Sequence, residues 1–138
     1  MKLVPSILIA GALLLIIISS CKKQSFQLLL TGRNAERQIQ FRLSTDQDFS
    51  SDNHLIVFKI FIQRLGNVVL WDTSLAPMKV KDIPGPANKL VINKSIVVND
   101  TSVLKVGFRY TIENVGESWH IDSSGAGSVY TIIDFNFR

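Results

Sequence analysis

The stretch "RQIQFRL" (Arg37–Leu43) alternates without a break, with Ile39, Phe41 and Leu43 on one side and Gln38, Gln40 and Arg42 on the other. Successive side chains of an extended strand point to opposite faces, so a strict period of two describes a strand with one buried face. The pattern recurs. Ser102–Ile112 sets Leu104, Val106, Phe108, Tyr110 and Ile112 against Lys105, Gly107, Arg109 and Thr111, and Ser128–Phe137 sends Val129, Thr131, Ile133, Phe135 and Phe137 one way. His54–Leu65 is apolar on both faces, which predicts a central strand. After the first 20 residues no window keeps a 3.6-residue apolar period, so helices have no pattern to form on.

Turn residues punctuate these runs. His54–Leu65 and Val68–Trp71 are separated by Gly66-Asn67, two residues that tolerate positive φ and predict a hairpin. Leu90–Val98 and Ser102–Ile112 stand in the same relation around Asn99-Asp100, and Phe26–Gly32 is expected to pair with Arg37–Leu43 across Arg33-Asn34-Ala35. Ser44–Asn53, Asp82–Lys89 and Glu113–Gly127 read as loops. Seven or eight short strands at this spacing predict an antiparallel β-sandwich of immunoglobulin-like type, with an eight-strand closed barrel as the alternative.

The first residues obey different rules. Met1-Lys2 is followed by an apolar run from Leu3 to Ile18, about 16 residues and shorter than the roughly 20 that cross a bilayer as a helix. A basic start, an apolar middle and small residues before a cut describe a signal peptide. Ile18-Ser19-Ser20-Cys21 resembles the lipobox of bacterial lipoproteins, with Ile18 where leucine is commonest. The resemblance implies a diacylglyceryl group on the Cys21 sulfur, cleavage before it, and anchorage in a bacterial envelope. Cys21 is also the single cysteine, so no intrachain disulfide is possible, and lipidation accounts for an odd thiol in an exported chain. Two or three acyl chains make a stable anchor at about 0.8 kcal/mol per buried methylene. Lys22 does not match the aspartate that retains enteric lipoproteins in the inner membrane, and no acidic run follows Cys21. The resemblance therefore points to the outer membrane, facing the periplasm.

The expected organisation is a signal peptide at 1–20, a lipidated tether at 21–25 and a β-sandwich domain at 26–138. Removing residues 1–20 leaves 118 residues, enough for one core, with 14 basic residues against 11 acidic ones. The basic residues are scattered and form no stripe among aromatics, which argues for a solvated surface and against nucleic acid as a partner. The freed domain is expected to be monomeric.

Four sets of residues carry chemistry worth weighing. Asp46, Asp48, Ser50 and Asp52 alternate as the oxygen ligands of a calcium loop begin, but Ser51 and Val57 stand where the helix-loop-helix version needs Gly and Glu. A looser calcium site is an open alternative to a solvated turn. "ESWHIDSSG" (Glu117–Gly125) contains Ser, His and Asp, yet triads converge from separate segments and no G-x-S-x-G is present, so no catalysis is expected. His54 and His120 lack the spacing of a zinc site. Trp119, with Asn114, Glu117, His120 and Asp122 around it, is either a stacking platform for a ligand or a plug for the open end of the sandwich. Trp71, in an alternating strand, is expected in the core.

The sequence thus predicts a small non-enzymatic envelope lipoprotein that binds a protein partner or belongs to an assembly. The alternative is a carbohydrate- or ligand-binding module, possibly calcium-assisted, and exposure of Trp119 would favour it.

Overall fold

The structure is a computed structural model that describes residues 32–138, so the lipobox, Cys21 and all but Gly32 of the expected strand at Phe26–Gly32 lie outside the described residues. Eight strands follow in order: β1 (Asn34–Thr45), β2 (Leu55–Arg64), β3 (Val68–Ser74), β4 (Met78–Lys79), β5 (Leu90–Asn99), β6 (Leu104–Ile112), β7 (Gly116–Ser124) and β8 (Tyr130–Phe137). They form two open sheets, β5-β1-β8 and β3-β2-β6-β7, with β4 also paired to β2. This is the expected sandwich and not a closed barrel. One pairing departs from the antiparallel rule: β1 runs parallel to β8, from Gln38 opposite Tyr130 to Thr45 opposite Phe137.

Alternation builds the core. Ile39, Phe41 and Leu43 of β1, Ile56, Phe58, Ile60 and Ile62 of β2, Leu104, Val106 and Phe108 of β6, and Ile133, Phe135 and Phe137 of β8 all point between the sheets and are buried. Each such side chain contributes roughly 1.5–3 kcal/mol by leaving water. Several aromatic pairs meet edge to face, Phe41 against Phe108 at 5.7 Å and 90°, an arrangement their quadrupoles favour. The strand that is apolar on both faces, β2, occupies the middle of its sheet between β3 and β6. All of these residues belong to the compact unit Asn34–Arg138, which carries its own core and strand partners.

The hairpin at Gly66-Asn67 forms as expected, with φ of 89° and 63°. The one expected at Asn99-Asp100 does not. β5 pairs with β1 across Asn34–Leu43, whereas β6 pairs with β2 and β7, so the Asp100–Val103 connection crosses from one sheet to the other. Arg37 explains what steadies the crossover. It shares the inward parity of Ile39, is 1% exposed, and is therefore a correction to the solvated surface assigned to the basic residues. Its Nη2 donates to the carbonyls of Asn99 (3.2 Å) and Asp100 (2.6 Å), and its Nη1 to that of Gly125 (3.1 Å). A buried charge is tolerated only when its polar atoms find partners, and here one planar fork satisfies carbonyls from two separate connections.

A second correction concerns Glu113–Gly127. It is not a long loop: a tight turn with Asn114 at φ 61° leads directly into β7, which runs in unbroken antiparallel register with β6 from Gly116 opposite Ile112 to Ser124 opposite Leu104. Asp82–Lys89 is a loop as expected, entered through one short 3-10 turn, Val80–Asp82, and containing a second, Pro86–Asn88.

Candidate functional site

Reclassifying β7 as a strand divides the residues grouped around Trp119. Glu117, Trp119 and Ile121 project from the outer face of the five-stranded sheet, opposite Thr111, Arg109 and Gly107 of β6. Ser118, His120 and Asp122 take the other parity. The His120 ring turns inward and stacks on Phe135 at 4.5 Å and 13°, while Asp122 accepts a hydrogen bond from the Ser123 N–H. Asn114 sits apart in the turn. The five residues do not converge.

What gathers around Trp119 comes from other strands. Phe61 of β2, Gly107 of β6 and Ile121 of β7 lie side by side in register. Phe61 is 7% exposed, and its ring lines the floor of a depression of about 350 Å³. Gly107 is required for the close pairing of β6 with β7, because a Cβ at that position would lie 2.1 Å from the His120 carbonyl oxygen. Trp119, 56% exposed, and Ile121 form one wall with Val69 across from them, and Lys59, Gln63, Asn67, Asp72, Lys105 and Arg109 complete the lining. Trp119 is not a plug.

Two ion pairs set the electrostatics of this face. Lys59 Nζ is 2.5 Å from Asp72 Oδ2, and Arg109 holds Glu117 through Nε at 2.5 Å and Nη2 at 2.6 Å. The hydrogen bond and charge of Glu117 raise the Arg109 pKa further, so its charge is permanent. Lys105 forms no ion pair among the described residues, and the lining keeps one uncompensated positive charge. Its volume falls in the range of small-ligand pockets, roughly 300–1,000 Å³.

The acidic loop is arranged differently. Asp48 accepts the Ser50 N–H, Asp52 accepts the His54 N–H and meets His54 Nδ1 at 2.7 Å, and Asp46 accepts from Gln47 Nε2 and faces Arg138 at 3.7 Å. Hydrogen bonds hold each carboxylate below its usual pKa, through the Gln47 side chain for Asp46, the Ser50 backbone for Asp48 and the His54 backbone for Asp52. These are side chains closing local turns on separate partners. Among the described residues no three His, Cys, Asp or Glu side chains stand close enough to hold a metal ion.

Trp71 packs as expected, against Phe41 at 6.2 Å and only half-buried, with Lys94 Nζ 5.3 Å from the centre of its ring. Compared with known proteins, the chain matches no family model, no curated protein and no solved structure.

Proposed function

We propose that this chain is a non-enzymatic binding module of a bacterial cell envelope, tethered by lipid on Cys21, and that it binds a saccharide on the outer face of its five-stranded sheet. The observation that carries the saccharide reading is Trp119, exposed on a regular strand beside a depression with an apolar floor and a polar rim. An indole face accommodates the C–H surface of a sugar ring. Lys59, Gln63, Asn67, Asp72 and Lys105 then supply donors and acceptors for hydroxyls at the edge. Strands hold all of these groups but Asn67, which sits in the tight β2–β3 turn, and a rigid scaffold keeps the ordering cost of binding low. The envelope address is supported by the lipobox resemblance at Ile18–Cys21, and Lys22 favours the outer membrane with the domain in the periplasm.

Two measurements test the two halves. Cys21→Ala should abolish fatty-acid labelling and leave the leader uncleaved; normal labelling of that variant sinks the anchor. Calorimetric titration of the Asn34–Arg138 unit with neutral and uronic-acid oligosaccharides should show binding that Trp119→Ala weakens by about tenfold or more, as loss of an aromatic anchor does. Binding indifferent to Trp119, or none across the panel, sinks the saccharide reading.

A further inference from the structure

The depression beside Trp119 carries a charge that its own side chains leave unanswered. Its lining holds three cations, Lys59, Lys105 and Arg109, and one carboxylate, Asp72. Two of the cations are engaged. Lys59 is paired with Asp72, and Arg109 leans onto Glu117, which stands opposite Thr111, one row beyond the lining. With Glu117 counted, three positive charges meet two negative ones, and the remainder is Lys105. Its ammonium has no ion-pair or hydrogen-bond partner among the described residues. It projects from β6 between Gln63 and Ser123 in register, neither of them charged, and it is half-buried.

The group laid over Lys105 determines how well a ligand binds. A neutral sugar covering a half-buried ammonium strips water from it and returns only hydroxyl dipoles. A carboxylate returns a charge-assisted hydrogen bond, roughly twice as strong as a neutral one. The carboxylates already on this face are no obstacle, since Asp72 and Glu117 each face a cation. Spacing then sets the size of the ligand. Trp119 stands opposite Arg109, and Lys105 lies four residues back along β6, about 13 Å at roughly 3.3 Å per residue. A pyranose ring stacked on the indole leaves the ammonium beside the next ring of the same chain. We propose that this face selects an acidic oligosaccharide, a chain of two or more rings bearing carboxylates, over its neutral counterpart, and that Lys105 makes the selection. The inference rests on the saccharide reading and narrows it from sugars in general to uronic-acid chains.

Calorimetric titration of the Asn34–Arg138 unit, which carries its own core, with tetragalacturonate and with its methyl ester tests it, because esterification removes the charges and keeps the rings. The acid should bind about fivefold or more tighter than the ester in low salt, and the difference should shrink as ionic strength rises. Lys105→Gln should bring the acid down to the affinity of the ester, whereas Lys105→Arg should keep the preference. Trp119→Ala should weaken both ligands alike. Circular dichroism checks that each variant keeps its β signal. Equal affinity of the wild type for acid and ester overturns the proposal and leaves the saccharide reading standing, and so does a preference for the acid that survives Lys105→Gln. Binding of neither probe overturns it too, and the saccharide reading then stands or falls on the neutral chains.

Discussion

The two tryptophans occupy opposite flanks of the sandwich and have opposite fates. Trp71 lies opposite Ile62, a fully buried residue, and so points inward against Phe41 beneath the Lys94 ammonium. Trp119 lies opposite Arg109, whose side chain is in solvent, and so points outward. Both sit in strands at sheet edges. The parity of the residue across the ladder decides which ring is structural and which is free for use, because a shift of one residue in register would exchange them.

The largest expected effect comes from removing what joins both flanks. Arg37 binds the crossover after β5 on one flank and the turn after β7 on the other. Arg37→Met removes three part-buried hydrogen bonds donated by a charged group, a kind worth about 1.5–3 kcal/mol each, while the carbonyls of Asn99, Asp100 and Gly125 keep the backbone N–H groups of Ser102, Gly127 and Ser128. We expect a loss of about 2–4 kcal/mol in urea unfolding, because the charge leaves together with its bonds and each carbonyl keeps one donor. A loss below about 1 kcal/mol would show that the loops are held without it.

A smaller effect sharpens the contrast directly. Trp71→Ala removes a half-buried ring and the cation above it, and should cost about 2 kcal/mol. Trp119→Ala, measured on the same unfolding curve, should stay within about 0.5 kcal/mol of wild type, as surface changes usually do. Equal losses at the two positions would erase the distinction between a structural and a functional tryptophan.

Much of the fold was legible because burial imposes a pattern. The inward residues of β1, β2, β6 and β8 announce themselves by alternation, and Gly66-Asn67 announces its turn by the φ it demands. The β5–β6 crossover was not legible, since Asn99-Asp100 has the same turn chemistry whether the chain folds back within a sheet or passes to another. Which outcome occurs depends on β1 claiming β5, a partner chosen far away in sequence. β7 was hidden for a different reason. An exposed edge strand buries little, so Gly116–Ser124 shows no apolar period and its three serines resemble a loop. The site follows suit: Trp119 stood out in the sequence, but Phe61, Gly107, Ile121 and Lys105 come from three strands and meet only through register. Arg37 did leave a signal, an arginine on the inward parity of an otherwise apolar face.

The parallel pairing of β1 with β8 has a mechanical side. β1 is the middle strand of its sheet, held by ten residue partners in β5 and eight in β8. Tension applied at Asn34 runs along this strand, so it loads both ladders in shear, all bonds together, where a peripheral hairpin would open one bond at a time. A domain tugged through a leash upstream of β1 is thus pulled along the direction in which it yields last.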